Sequence, residues 1–269
     1  MNLRWVYPLK VFVYTAVVLN AAYYVYLDTQ TALLIDPGTS LLSWGQTFYT
    51  TIDYTGWLLL VALFQLQKDS PKSEKMKSGK VWALGSATLV GFLLLGLALY
   101  LNVLEVAYYD EYVLHPSDEV CMEQDEPQYF LNQEQMYQLV TPENCAALAA
   151  GSVLRHPVDS SLVEAGNRIA GKRLELVNVF NTAAWLALVF TFQFRLLIQR
   201  VRPHWDATLN WIDRSKAFFY LLLFASALYW FYGGTWVDAW DAFLWLFAFL
   251  TLEVVEPEED EAEPEPQPS

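Results

Sequence analysis

Apolar residues gather into six runs along the chain, at residues 8–27, 44–66, 81–106, 176–198, 217–232 and 236–252, and the segments between them hold most of the charge. A helix that crosses a hydrocarbon layer about 30 Å thick needs about 20 such residues, at about 1.5 Å of rise each. Five runs meet or approach that length. The run at 217–232 is shorter, and with the next one it reads either as two spans or as a re-entrant hairpin. The pattern predicts an all-α, polytopic fold built on a six-helix transmembrane bundle. No small-residue cleavage site follows the first run, which therefore reads as a retained anchor.

Two hairpins in this pattern resemble each other, which suggests a duplication of helices 1–2 as helices 5–6. Lys10, Tyr14, Tyr23 and Tyr26 are answered by Lys216, Tyr220, Tyr229 and Tyr232, and the following helices match Asp53 with Asp241, Trp57 with Trp245 and Gln65 with Glu253. Copies four spans apart keep the same orientation, as in parallel repeats related by an axis along the membrane normal. Lys and Tyr also mark membrane interfaces independently, which is the simpler origin of the same coincidences.

Composition agrees with a membrane class, because 55% of residues are hydrophobic and 16% aromatic, more than a soluble core of this size uses. Orientation follows from Lys and Arg, which collect on the cytoplasmic side of spans. Arg4 and Lys10, then the lysines from Lys68 to Lys80, then Arg200, Arg202, Arg214 and Lys216 fall on one face if both termini are cytoplasmic. The expected location is a plasma membrane or bacterial inner membrane, with the lipid bilayer as a partner. Lys172 and Arg173 are the exception on the other face, with Glu175 a candidate partner.

The chain then divides into helices 1–3 (1–106), an extracytoplasmic cap (107–175), helices 4–6 (176–253) and an acidic tail (254–269). The net charge of −14 is concentrated rather than spread. Eight acidic residues lie from Glu253 to Glu265 with no basic one among them, so the tail is expected to be disordered and cytoplasmic. It serves as a solvating tail or as a docking segment for a basic partner. The cap carries twelve carboxylates against four basic residues. Neither feature suits nucleic acid, which selects basic patches.

Local signals in the cap point to helices: Asn132 with Gln135 and Ser161 with Glu164 have capping-box spacing, and Thr141-Pro142 with Gly151 brackets a further helix. The only cysteines, Cys121 and Cys145, both lie here, on the side where a disulfide persists, and are expected to staple a small helical cap. His115-Pro116-Ser117-Asp118 and His156-Pro157-Val158-Asp159 offer imidazole and carboxylate ligands for a divalent metal. The same tetrapeptides also read as extended-then-turn segments in which Asp caps the next helix.

Polar residues inside the spans carry the functional expectation, because a carboxylate or amide in hydrocarbon is costly and faces a partner or water. Asp53, Asp238, Asp241, Glu105, Asn178 and Asn181 all fall in the outer half of their runs. Tyr49, Asp53 and Trp57 are four apart, as are Asp241 and Trp245, so each Asp shares a helix face with aromatic rings. Asn20 and Ser226 occupy matching mid-helix positions. Helices 1, 2, 5 and 6 are expected to surround an outward-opening acidic site.

Motif chemistry narrows the classes. Thr51-Ile52-Asp53-Tyr54-Thr55 superficially resembles a potassium-channel filter, but Asp53 replaces a filter glycine and too few apolar residues follow for an inner helix. Arg195 with Arg202-Pro203 looks like the first motif of lipid-phosphate phosphatases, whose remaining motifs are absent, as are H-E-x-x-H and G-x-S-x-G. No enzyme and no cofactor is expected. Two classes remain: a cation or proton channel or transporter using those carboxylates and amides as oxygen ligands, and a non-transporting subunit or scaffold in which the same groups bind helices together within a homo-oligomer or with a membrane protein partner.

Overall fold

The computed structural model describes residues 6–34, 38–68, 78–121, 127–132, 137–201, 205–233 and 236–254. The long helices are α1 (Val6–Leu34), α3 (Tyr49–Lys68), α4 (Ser78–Glu111), α6 (Ala165–Val201), α7 (Asp206–Gly233) and α8 (Trp236–Val254); α2 (Leu41–Thr47) and α5 (Cys145–Ala149) are short. Five short strands, β1 (Val113–Leu114), β2 (Tyr129–Leu131), β3 (Tyr137–Leu139), β4 (Val153–Arg155) and β5 (Leu162–Glu164), and one turn of 3-10 helix at Ser117–Glu119 complete the described elements.

Four stretches, Pro8–Leu34, Trp82–Glu111, Ala165–Arg195 and Asp206–Gly233, are long and apolar enough to cross a membrane. Their outward faces carry large apolar side chains such as Phe12, Leu19, Leu89, Leu93, Phe190 and Leu221, all exposed, as suits a lipid-facing surface. Helices α3 and α8 are shorter, 20 and 19 residues long. Much of α8 is buried, including Ala239, Ala242, Trp245, Ala248 and Phe249.

The helices pack as α1 with α3 and α8, α3 with α4, α4 with α6, α6 with α7, and α7 with α8. Glycines set the closest approach. A Cβ at Gly91 would stand 2.6 Å from Leu60 Cδ2, and one at Gly56 would stand 2.8 Å from Leu95 Cδ2, so the α3–α4 crossing needs both positions bare. At the centre Trp57, Trp185, Trp245 and Phe249 interlock, with ring centroids 4.9 to 6.4 Å apart. Such offset and edge-on contacts add to the burial of large aromatic surface.

Several expected boundaries move. The short run at 217–232 sits within α7, a 28-residue helix that begins at Asp206, because the polar first turns of a helix do not register as apolar sequence. Helix α6 starts at Ala165, well before the apolar run at 176, for the same reason. The run at 44–66 breaks at Phe48, whose φ of −108° and ψ of 22° separate α2 from α3.

The expected helical cap is instead organised by a five-stranded sheet in the order β1-β4-β5-β2-β3, antiparallel except for the β2–β5 pair. The runs Tyr129–Leu131, Val153–Arg155 and Leu162–Glu164 alternate between two buried faces, a period of two that the capping-box reading passed over. Leu131, Leu154 and Val163 pack toward Tyr109 and Tyr112 at the end of α4; Phe130, Val153 and Leu162 pack toward Val120, Cys145 and Leu148. Ser161 and Glu164 therefore belong to a strand and its entry rather than to a helix cap. Gln135 lies outside the described residues, but Leu131 already pairs with Tyr137, so the chain there is a strand pair on either side. The Thr141 to Gly151 signals do bracket a helix: Cys145 N–H reaches Thr141 O at 2.9 Å, and Gly151 N–H closes on Leu148 O at 3.1 Å. The Cys121–Cys145 disulfide is formed and ties this helix to the loop after β1. The acidic tail from 255 and the lysine-rich loop at 69–77 lie outside the described residues.

Candidate functional site

Three polar residues of α1 share its buried face. Asn20, Tyr24 and Asp28 are four apart, continuing the buried line of Val13, Val17 and Ala21. Each finds a partner on another helix. Asn20 Nδ2 donates to Asp241 Oδ1 at 2.7 Å and to Tyr54 Oη at 2.8 Å, and the Tyr54 hydroxyl itself donates to the same Asp241 oxygen. Tyr24 Oη donates to Asp238 Oδ1 at 3.2 Å and its ring stacks on Tyr54, 5.1 Å between centroids. Asp28 accepts the Thr51 N–H at 2.8 Å and the Thr51 hydroxyl at 2.7 Å. The break at Phe48 frees that N–H, so the carboxylate caps the start of α3 from across the helix pair.

Asp53 and Asp241 lie close enough to interact electrostatically, as do Asp241 and Asp238. They are held differently. Asp241 binds Asn20 and Tyr54, whereas Asp53 accepts the indole N–H of Trp57, one turn along its own helix, at 3.2 Å, and no other side chain among the described residues. The two halves of the suggested repeat also diverge at mid-helix: Ser226 donates back to Leu222 O of its own helix, while Asn20 bridges to α8. Lys10 donates to Gln65 at 2.7 Å, while Lys216 pairs with Asp213 at 3.2 Å.

A second polar group lies where α4 meets α6. Glu175 is buried and accepts Asn178 Nδ2 at 2.9 Å, and it senses the charges of Glu105 and Asp238. One turn away from Glu105, Asn102 Nδ2 donates to Thr182 Oγ1 at 3.2 Å. Asn181 is half-buried, and its Oδ1 has no hydrogen-bond partner among the described residues. Lys172 does not neutralise Glu175; it reaches Asp110 at 2.5 Å, because the earlier start of α6 turns it toward the end of α4. Among the described residues no Lys, Arg or His forms an ion pair with Asp53, Asp241, Glu105 or Glu175. Below the carboxylates, on the side away from the cap, the cluster of Trp57, Trp185, Trp245 and Phe249 fills the interior. Two surface hollows, one lined by Ala225, Leu228, Tyr229, Tyr232 and Gly233 and the other by Trp82, Gly85, Ser86 and Leu89, involve none of these groups.

The structure does not bring the two histidine tetrapeptides together. His115 N–H pairs with Val153 O, and His156 follows β4 opposite Tyr112, three positions along the antiparallel β1–β4 pair. Three strand residues put about 10 Å between the two histidines. Among the described residues no three His, Cys, Asp or Glu side chains converge as a metal set, and the Asp118 side chain lies outside them. The second tetrapeptide forms a turn in which Asp159 Oδ1 accepts the Ser161 N–H at 3.0 Å.

Their place within apolar runs singles out the carboxylates Asp53 and Asp241; it does not single out Tyr54 and Tyr24, whose hydroxyls donate to Asp241 and Asp238. The signal available was the four-residue spacing of Asn20, Tyr24 and Asp28, a polar stripe within an apolar helix. The chain matches no protein-family model, and no curated protein or solved structure matches it significantly.

Proposed function

We propose that this chain is a multi-pass, six-helix membrane protein that binds and moves a proton or a small hard cation through an acidic site within its spans. The observation that carries the reading is the set of carboxylates Asp53, Asp241, Glu105 and Glu175, set among helices without an ion-pairing base among the described residues. An ionised carboxylate in that setting costs several kcal/mol, so each must hold a proton, a bound cation or a strong donor. Neutral donors (Asn20, Tyr54, Tyr24, Trp57 and Asn178) supply orientation without cancelling the charge. Oxygen ligands of this kind suit protons and hard cations.

In this reading Asp53 and Asp241 form the central site, and Asp238, Glu105, Asn178 and Asn181 form its approach from the cap side. The Trp57, Trp185, Trp245 and Phe249 layer is the barrier on the far side, which must part for transport. Both termini are cytoplasmic and the cap faces outward, in a plasma membrane or a bacterial inner membrane. The protein is not an enzyme. The deciding experiment is ion flux into vesicles reconstituted with the unaltered chain or with the Asp53→Asn, Asp241→Asn double variant. Flux in the first and none in the second, with equal folding, is the expected result; equal flux in both removes this mechanism.

A second reading, a non-transporting subunit or scaffold, is favoured by one observation: the Asn20, Tyr54 and Asp241 contacts join α1, α3 and α8 directly. Polar contacts of this kind suffice to fasten helices. Loss of assembly rather than of flux in the double variant would decide for it.

A further inference from the structure

At the junction of cap and helices, His156 is 2% exposed and lies flat against Tyr108, 3.8 Å between ring centroids. Its Nε2 is buried, has no hydrogen-bond partner among the described residues, and points to Glu111 Oε2 at 3.6 Å. Glu111 is 56% exposed and so open to the outside solution. On the other side of the ring, Nδ1 lies 3.3 Å from Asp159 Oδ1 and 3.4 Å from the Val158 N–H. Nδ1 thus has a partner in either state: it donates to Asp159 when protonated and accepts from Val158 when not. The Tyr108 hydroxyl donates to Asp159 Oδ2 at 2.5 Å and stands 2.9 Å from Ser161 Oγ, with the Tyr112 and Tyr137 hydroxyls each 3.4 Å away. Glu105 precedes Tyr108 by three positions on α4, on the same side of that helix and one turn toward the spans.

We propose that His156, Asp159 and Tyr108 form a proton-exchange site on the cap side, linking the outside solution through Glu111 to Glu105 and the acidic site within the spans. The inference rests on the proposed transport reading and specifies its ion as the proton. One proton arrives from the Glu111 side and binds the Nε2 lone pair. The imidazolium then releases its Nδ1 proton to Asp159 Oδ1, so the ring carries the same charge before and after. Asp159 returns to the carboxylate as its proton passes toward Glu105 through the tyrosine and serine hydroxyls. Each hydroxyl accepts one proton and gives up its own.

The groups facing the ring fit a site that takes up protons reluctantly and passes them on. Burial pulls the His156 imidazole below its usual range, and Asp159 and Glu111 oppose that shift. Tyr108 of α4 and Tyr112, just beyond that helix, face the ring, Tyr137 of β3 reaches the Tyr108 hydroxyl, and Arg155, at the end of β4, is turned away to Ser160 Oγ at 2.8 Å. Burial holds the Tyr112 hydroxyl protonated, raised to about 12, so it relays rather than ionises.

The test uses the full chain, disulfide intact, in vesicles with a trapped pH dye, the outside pH being stepped at fixed inside pH. The unaltered protein should move protons faster as the outside is acidified. His156→Gln should lose that dependence and slow by about tenfold or more, as removal of a positioned proton carrier does. His115→Gln, altered at the other buried cap histidine, should keep both. If His156→Gln behaves as the unaltered chain while Asp53→Asn, Asp241→Asn abolishes flux, the exchange site is wrong and the intramembrane site stands. If the unaltered chain moves no protons, both fall. Imidazole NMR covers the case in which His156→Gln disturbs the cap: His156 should titrate in the folded protein, and Asp159→Asn should move that titration. A His156 resonance indifferent to pH, or to Asp159→Asn, overturns the proposal.

Discussion

The contact of Asp241 with Tyr54 and Asn20 gives the sharpest energetic test of the interior. Tyr54→Phe removes one hydroxyl and almost no volume, so the outcome reports hydrogen bonding rather than a cavity. Two interactions go: the donation to Asp241 Oδ1, and the acceptance of the Asn20 amide at 2.8 Å. At about 0.6 to 2 kcal/mol for each polar contact between membrane helices, the loss should be about 1 to 4 kcal/mol. Asn20→Leu removes the amide and with it the 2.7 Å bond to Asp241. Because the three side chains share atoms, the two changes should not add; the double variant should be less destabilised than the sum by about 0.5 to 1.5 kcal/mol. Unfolding in mixed detergent micelles can be followed by tryptophan fluorescence, since Trp57 and Trp245 sit one turn from the site and against each other, 5.9 Å between centroids. Additivity within about 0.3 kcal/mol, or a Tyr54→Phe effect below that size, would refute the joining of α1, α3 and α8 through Asp241.

Three further outcomes are expected. The Cys121–Cys145 bridge spans a sequence separation of 24, and in the chain-entropy treatment its reduction should cost about 3.5 kcal/mol of cap stability; a cap equally resistant to proteolysis with and without reductant would contradict this. Because burial lowers the His156 imidazole below its usual range, the unfolded chain binds that proton more readily than the folded one, so the contribution is fully present above about pH 6.5 and is lost as pH falls through the folded value. Cap melting should therefore move to lower temperature on acidification, less so in His156→Gln, and an identical shift in both would remove the cause assigned here. Orientation is tested with cysteine substitutions made where the native pair stays oxidised: Ser117→Cys should react with an impermeant thiol reagent in intact cells and Ser73→Cys should not, while the reverse pattern would invert the topology.

The sequence by itself determined the features that depend on local composition and spacing. Apolar runs long enough to span announce helices wherever they occur, and four stretches of the structure have that length and apolarity. Two cysteines leave a single intramolecular pairing, and it is formed. The helix from Cys145 to Ala149 was legible because Thr141, Pro142 and Gly151 act within a few residues of it. Tertiary structure decided the rest. The cap sheet joins segments that are only two or three residues long, and β2 pairs with β5 some thirty residues away, so their alternation is too brief to outweigh the capping signals beside it and the pairing itself is not local. The same limit governs the site. Asp53 and Tyr54 are neighbours in sequence but point about 100° apart around α3. Only the packing of α1 and α8 against that helix selects Tyr54, rather than Asp53, to meet Asp241. Asn20 and Asp241 are 221 positions apart. Helical periodicity says which residues share a face, but the face that meets another helix is set by rotation and crossing, which depend on the whole packed interior, including the bare positions at Gly56 and Gly91.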